Sequence, residues 1–137
     1  MMPSGSNETV HARPRLIVVW YGLGALLLLL VAILSLIPAP DTGVDDKLSH
    51  LLTYFLLGGW FGVLAADRRV LAWTFASLVV YGGAIELLQG TTDYRFAEWA
   101  DLLADAVGAG LGLTLYFTPL RRLLLFVDRQ LVAIFLR

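Results

Sequence analysis

The sequence predicts an all-α, polytopic membrane protein, with four transmembrane helices in an antiparallel bundle and a C-terminal amphipathic interfacial helix. Three observations carry that expectation. Of the 137 residues, 58% are apolar and 15% charged, against about 45–50% and about 25% in an ordinary soluble domain. The apolar residues gather into four runs close to the ~20 residues a helix needs to cross a bilayer. Lysines and arginines then fall in alternate connecting segments, which orients the runs. The same figures exclude other classes. With no cysteine there is no disulfide framework, and a net charge of −1 offers no basic field for nucleic acid. The length limits the chain to one domain.

The first span, residues 16–37, contains no charge and is bounded by Arg13, Pro14 and Arg15 before it and by Pro38 and Pro40 after it. A cleaved signal peptide is the rival reading. The run exceeds the usual ~7–15-residue apolar core, however, and no small-residue cleavage site follows it. The second span runs over about 48–66 and stops at Asp67-Arg68-Arg69. The third, about 70–88, is interrupted only by Glu86, and the fourth, about 99–117, carries Asp101 and Asp105 before closing at Pro119. Short links make successive spans antiparallel.

Arg13, Arg15, Arg68, Arg69, Arg121, Arg122, Arg129 and Arg137 would lie on one side of the membrane, and only Lys47 and Arg95 on the other. The positive-inside rule then puts both termini in the cytoplasm and the loops at 38–47 and 89–98 outside. Residues 1–15 read as a disordered cytoplasmic tail, in which His11 is a solvated side chain. In 119–137, Leu120, Leu123, Leu124, Val127, Leu131, Ile134 and Phe135 form a helical stripe. Arg121, Arg122, Asp128 and Arg129 lie elsewhere on the wheel, which suits a helix in the cytoplasmic headgroup layer better than a fifth span.

An ionisable side chain at the centre of a span costs roughly 2.5–3.5 kcal/mol on insertion scales. Here such residues concentrate at one end. Lys47, His50 and Tyr54 share a narrow face at the start of span two, with Asp46 beside them; Glu86 and Gln89 share a face at the end of span three. Asp101 and Asp105 open span four, and Gly108 and Gly112 continue their stripe. All belong to the extracytoplasmic end, so a shared polar pocket is the economical reading. Asp41, Asp45, Asp93 and Glu98 read as solvated helix ends, Asp46 and Asp101 as favourable charges on helix dipoles, Tyr54 and Trp99 as interfacial anchors, and Trp60 and Trp73 as packing residues. Gly108 and Gly112, opposite Gly58, Gly59 and Gly62, read as flat surfaces for close helix packing.

Asp46, Glu86, Asp101 and Asp105 against Lys47 and Arg95 leave the pocket acidic. A raised carboxyl pKa, a protonated His50, a cationic ligand group or a divalent cation would compensate. One histidine among carboxylates suits Mg²⁺ or Ca²⁺ better than a structural Zn²⁺, and Lys47 speaks against a metal at its own position. No other cofactor is expected.

In order, Asp46-Lys47-x-x-His50-x-x-x-Tyr54, Glu86-x-x-Gln89, Arg95 and Asp101-x-x-x-Asp105-x-x-Gly108 resemble the VanZ-like family of small bacterial membrane proteins over about residues 46–112. The resemblance does not extend to span one or to the C-terminal helix. It implies a multi-pass protein of the bacterial cytoplasmic membrane and a role at the cell envelope, the namesake being linked to teicoplanin resistance; with span one added from its hydropathy, the four-helix VanZ-like domain is expected over 16–118. The family's motif positions fall on Asp46, Lys47, His50, Tyr54, Glu86, Gln89, Arg95 and Asp101. The sequence departs from the pattern at Asp105, where the family usually has asparagine.

Three functions are compatible with these residues. In the first, the pocket binds a lipid headgroup, a lipid-linked sugar or a lipoglycopeptide, with Lys47 and Arg95 on phosphate or carboxylate and Glu86, Gln89 and Asp101 on hydroxyls or amines. In the second, an intramembrane enzyme acts on an envelope lipid. His50 is then the general acid or base, Glu86 or Asp101 orients it, and Lys47 or Arg95 stabilises developing charge; there is no G-x-S-x-G and no cysteine nucleophile. In the third, the cluster is an internal salt-bridge network in a scaffold for a membrane partner. The expected partner is a membrane lipid or lipid-linked envelope precursor, with no nucleic acid; the sequence identifies no protein partner.

Overall fold

The computed structural model describes residues 13–38, 45–93 and 97–135. These form five α-helices and no strand: α1 (Ile17–Leu36), α2 (Asp46–Leu64), α3 (Arg68–Gln89), α4 (Trp99–Leu113), continued by a 3₁₀ turn (Thr114–Phe117), and α5 (Leu120–Phe135). Two N-termini are closed by side chains the sequence supplies locally. Asp45 accepts a hydrogen bond from the Leu48 amide at 3.2 Å, and Asp67 one from the Val70 amide at 2.9 Å, which satisfies amide donors a helix start leaves open. Asp45 is therefore a cap rather than merely a solvated end.

Among the described residues three segments are long and apolar enough to cross a membrane: Ile17–Leu36, Arg68–Gln89 and Trp99–Phe117. The sequence led us to expect four. The difference is α2, whose Asp46, Lys47, His50 and three glycines dilute its apolar character. The structure gives a physical reason why such a helix can sit among the others. Its His50, Tyr54, Leu57, Gly58, Gly59, Gly62 and Leu64 are buried against neighbours, so much of its polar and small surface faces protein. By contrast α1 is apolar all round and buries only Gly24.

The centre of the molecule is the α2–α4 pair. A Cβ placed on Gly58 would overlap Ala109 backbone, one on Gly108 the Leu51 carbonyl, and one on Gly112 the Phe55 carbonyl; at Gly62 it would lie 3.1 Å from Leu113 backbone. The two helices thus interlock backbone to backbone, the close approach anticipated for these glycines. Around this pair, Tyr54, Leu57, Leu78 and Ala109 form the apolar core, with Leu28, Val31 and Tyr81 packed on it.

Helix α1 is held mainly through its carbonyls. Tyr81 donates to the Leu28 carbonyl, Gln89 Nε2 to the Ser35 carbonyl at 3.0 Å, and Trp60 Nε1 to the Trp20 carbonyl at 3.2 Å. Such bonds fix a featureless apolar helix at a defined height, which non-directional burial alone does not do.

The C-terminal helix forms as expected, but two of its charged residues do not face water. Arg121 and Asp128 are buried with Leu125 between them. Asp128 accepts from the Arg15 amide (2.7 Å), the Leu16 amide (3.0 Å) and Trp20 Nε1 (2.8 Å), while Arg121 donates to the Ala65 carbonyl. Burial by itself would raise the Asp128 pKa. The bonds from Trp20, Leu16 and Arg15, with the Arg15 charge, outweigh it and hold the carboxyl below its ordinary value. Charged anchors therefore pin α5 to the start of α1 and the end of α2, whereas Leu123, Phe126, Ile134 and Phe135 stay exposed. The expected tail at 1–15 is correspondingly fixed at Arg15; residues 1–12, including His11, lie outside the described residues, as do Asp41 and 136–137.

Candidate functional site

The polar residues predicted on three separate helices come together at one end of the bundle. His50 on α2 faces Asp105 on α4, with Nδ1 2.9 Å from Oδ1, and Glu86 on α3, with Nδ1 3.9 Å from Oε1. Toward an ionised Asp105 carboxylate, which can only accept, the Nδ1–H tautomer donates; in the Nε2–H tautomer Nδ1 keeps a lone pair. All three side chains are buried, Asp105 being 1% exposed. Glu86 Oε2 accepts from the Glu98 amide at 3.1 Å, which ties the end of α3 to the start of α4.

Tyr54 lies one turn below His50 and is 3% exposed. It is buried in the bundle and does not anchor the chain at an interface; Trp99, 87% exposed, faces outward. A Cβ on Gly82 would lie 2.7 Å from Asp105 Oδ2 and 3.1 Å from the Tyr54 hydroxyl, so only glycine on α3 lets these two polar groups approach that helix. The Tyr54 hydroxyl and Glu86 Oε1 are buried with no hydrogen-bond partner. Unsatisfied groups of this kind carry a desolvation penalty of roughly 1–3 kcal/mol each.

At the outer rim Lys47 Nζ lies 3.0 Å from Glu98 Oε2 and 3.6 Å from Asp101 Oδ1. Lys47 is thus committed to carboxylates, and Glu98, which the sequence suggested was a solvated end, is its nearer partner. The signal for Glu98 was present: it stands three residues before Asp101, on the face that continues to Asp105. Gln89 is 2% exposed and spends its amide nitrogen on α1. Asp46 is exposed at the mouth of the cluster, and Arg95 lies outside the described residues.

Two clefts flank the cluster. One of about 200 Å³ lies between α1 and α2, with Ser35, Asp46, Ser49, His50 and Tyr54 in its wall. The other, of about 450 Å³, lies between α3 and α4; Val80, Leu87, Trp99 and Leu102 make it apolar, and Glu86 and Glu98 give it an acidic rim. Two sets of donor atoms lie within 4.8 Å of one another: Asp46, His50 and Asp101, and His50, Glu86 and Asp105. Both sets have the residue types that hold a divalent cation.

The fold and this end of it define a class: a small helical membrane protein in which three helices enclose one histidine among carboxylates. The family model described as VanZ/LLP1 matches residues 46–125, and the chain belongs to that family. The match begins at α2 and runs past the expected limit near residue 112 to include Arg121 and Leu125, the residues that dock the start of α5. No curated protein and no solved structure matches the chain.

Proposed function

We propose that this VanZ-family protein acts at the bacterial cell envelope by binding the donor-bearing headgroup of an amphiphile at the His50–Glu86–Asp105 cluster. The amphiphile is a membrane lipid, a lipid-linked sugar or a lipoglycopeptide, and binding contributes to glycopeptide resistance. The observation that carries this reading is the α3–α4 cleft, whose apolar wall ends at Glu86 and Glu98. Its volume lies within the ~300–1,000 Å³ of ordinary ligand pockets, and an acyl chain in it puts a headgroup at the Glu86–Glu98 rim beside the cluster. Because Lys47 is already paired with Glu98 and Asp101, hydroxyls and amines suit the described site better than a phosphate. Among the sequence-derived residues, Asp46, Lys47, His50, Tyr54, Glu86, Asp101 and Asp105 form the proposed site, and Gln89 braces it from behind.

In the same reading all four helices α1 to α4 span the cytoplasmic membrane as an antiparallel bundle with α5 on the cytoplasmic face. Both termini are then cytoplasmic, as the arginine distribution requires, and the cluster opens to the outer leaflet.

A plug tests the cleft. Gly83 lines it, and a Cβ there meets nothing within 4 Å, so Gly83→Phe fills the cleft without opposing the fold. In a teicoplanin-sensitive host, the wild type should raise resistance, and Gly83→Phe and Glu86→Gln should each remove the gain at equal membrane abundance. Losing one charge-assisted bond to the ligand is worth about 1.5–3 kcal/mol, or roughly 10–100-fold in affinity. Undiminished resistance from both variants would rule the cleft out as the ligand site.

A further inference from the structure

We infer that His50, Glu86 and Asp105 form a binding site for one divalent metal ion, in which Nδ1, Oε1 and Oδ1 are the ligand atoms and Tyr54 sits in the same enclosure. Four observations carry this. The three ligand atoms come from three different helices yet lie within 4.8 Å of one another. Donors placed about 2.1 Å from a common ion are separated by roughly 3.0 Å at adjacent octahedral positions and roughly 3.4 Å in a tetrahedron. The two distances from Nδ1, 2.9 Å to Asp105 and 3.9 Å to Glu86, bracket those values. Bringing Glu86 in by about 0.5 Å for a tetrahedral site or about 0.9 Å for an octahedral one, with the Nδ1 proton moved to Nε2, lets an ion enter.

The second observation is the unused capacity. Glu86 Oε1 is buried and has no hydrogen-bond partner, although it lies beside an imidazole. The third is independent of the acidic residues. The Tyr54 hydroxyl is also buried and unpartnered, on the Gly82 side of the cluster where Asp105 Oδ2 lies. It is placed to bond a metal-held carboxylate or a metal-bound water, an outer-shell role that commonly orients a ligand. The fourth is charge. Two carboxylates and a neutral imidazole carry −2 inside a bundle of apolar helices, and a divalent ion brings that to zero, where one proton leaves a residue.

The donor set narrows the class of ion. Imidazole is uncommon around Mg²⁺ and Ca²⁺, and one nitrogen with two carboxylates suits Mn²⁺ or Zn²⁺. This differs from the sequence-level preference for Mg²⁺ or Ca²⁺, because the structure makes His50 the centre of the set. His50 and Tyr54 also line the α1–α2 cleft, so space lies beside the cluster.

The test uses the full chain in detergent, treated with chelator and titrated with Mn²⁺ alone, followed by electron paramagnetic resonance. One tightly held Mn²⁺ per chain is expected, with a nitrogen hyperfine coupling that His50→Gln removes. Glu86→Gln and Asp105→Asn, which preserve side-chain shape, should each weaken binding at least about tenfold, in line with the 10–100-fold that even outer-shell changes cost. Gly22→Ala, at an open position on α1, should not weaken it. Retained helical content and a single elution peak establish that each variant is folded. Folded wild type that binds no Mn²⁺, a bound signal lacking the nitrogen coupling, or equal affinity in Glu86→Gln and Asp105→Asn would each overturn the site. The proposed headgroup reading is tested separately by Gly83→Phe, which replaces no metal ligand, so either idea can fail alone.

Discussion

Replacing Gly112 with alanine should cost the protein several kcal/mol of stability, about 3 or more, as should the same change at Gly108. The new Cβ at Gly112 would meet the Phe55 carbonyl, the Gly59 amide nitrogen at 2.6 Å and Gly58 backbone at 3.0 Å. None of these atoms belongs to a side chain that can turn away. The only relief is separation of α2 from α4, which loosens every contact along the central pair and spreads the polar cluster at its end. Ordinary overpacking costs about 1–3 kcal/mol; with backbone on both sides the upper part of that range or beyond is expected. Gly22→Ala is the control, since its Cβ meets nothing within 4 Å and alanine is the better helix former by up to about 1 kcal/mol. Thermal unfolding in detergent, followed by loss of the monodisperse peak, should fall by many degrees for Gly112→Ala and hold or rise for Gly22→Ala.

A second large effect is expected at His50. Changing it to leucine leaves the Asp105 carboxylate, 1% exposed, without the donor that now lies 2.9 Å away. Stranding a buried charge in this way typically costs about 3–5 kcal/mol. If that is the mechanism, His50→Leu combined with Asp105→Leu should be more stable than His50→Leu alone, because no charge is then stranded. Asp105→Asn should be mild, about 1 kcal/mol, since its amide oxygen still accepts from the imidazole; asparagine is also the residue the VanZ-like pattern usually carries there. A double-variant cycle read by thermal unfolding measures all three. Strict additivity of the two leucine changes would show that His50 and Asp105 do not depend on each other.

Much of this arrangement was legible because membrane burial penalises polar groups so heavily. Lys47, His50, Glu86, Asp101 and Asp105 stood out in apolar runs, and helical spacing put them on consistent faces; the structure brings them to one end. The glycines were readable for a related reason, since Gly58 and Gly62 on one run and Gly108 and Gly112 on another leave matching gaps. What could not be read was partnership. Nothing in local spacing distinguishes Asp128, which accepts three bonds from the chain over a hundred residues earlier, from an aspartate that faces water. The apolar stripe on α5 pointed to the headgroup layer and much of it is exposed, but it gave no sign that Arg121, Leu125 and Asp128 make a buried face against the bundle. Glu98 is exposed at a helix end as expected, and what its spacing could not show is the pairing with Lys47, 51 positions away. Hydropathy alone likewise treats α2 as if lipid surrounded it, when buried glycines and polar side chains make up much of its inner face.

The most direct test of the cluster as a ligand site is native mass spectrometry of the detergent-purified protein. Wild type should be compared with a Tyr54→Phe/Glu86→Gln double variant, which keeps the shape of both side chains, removes the Tyr54 hydroxyl and neutralises Glu86. Retention by the wild type of one amphiphile that the variant releases is the predicted result, and its mass would give the ligand class. The same adducts on both proteins, or none on either with both folded, would contradict a binding role and leave the cluster as an internal polar network.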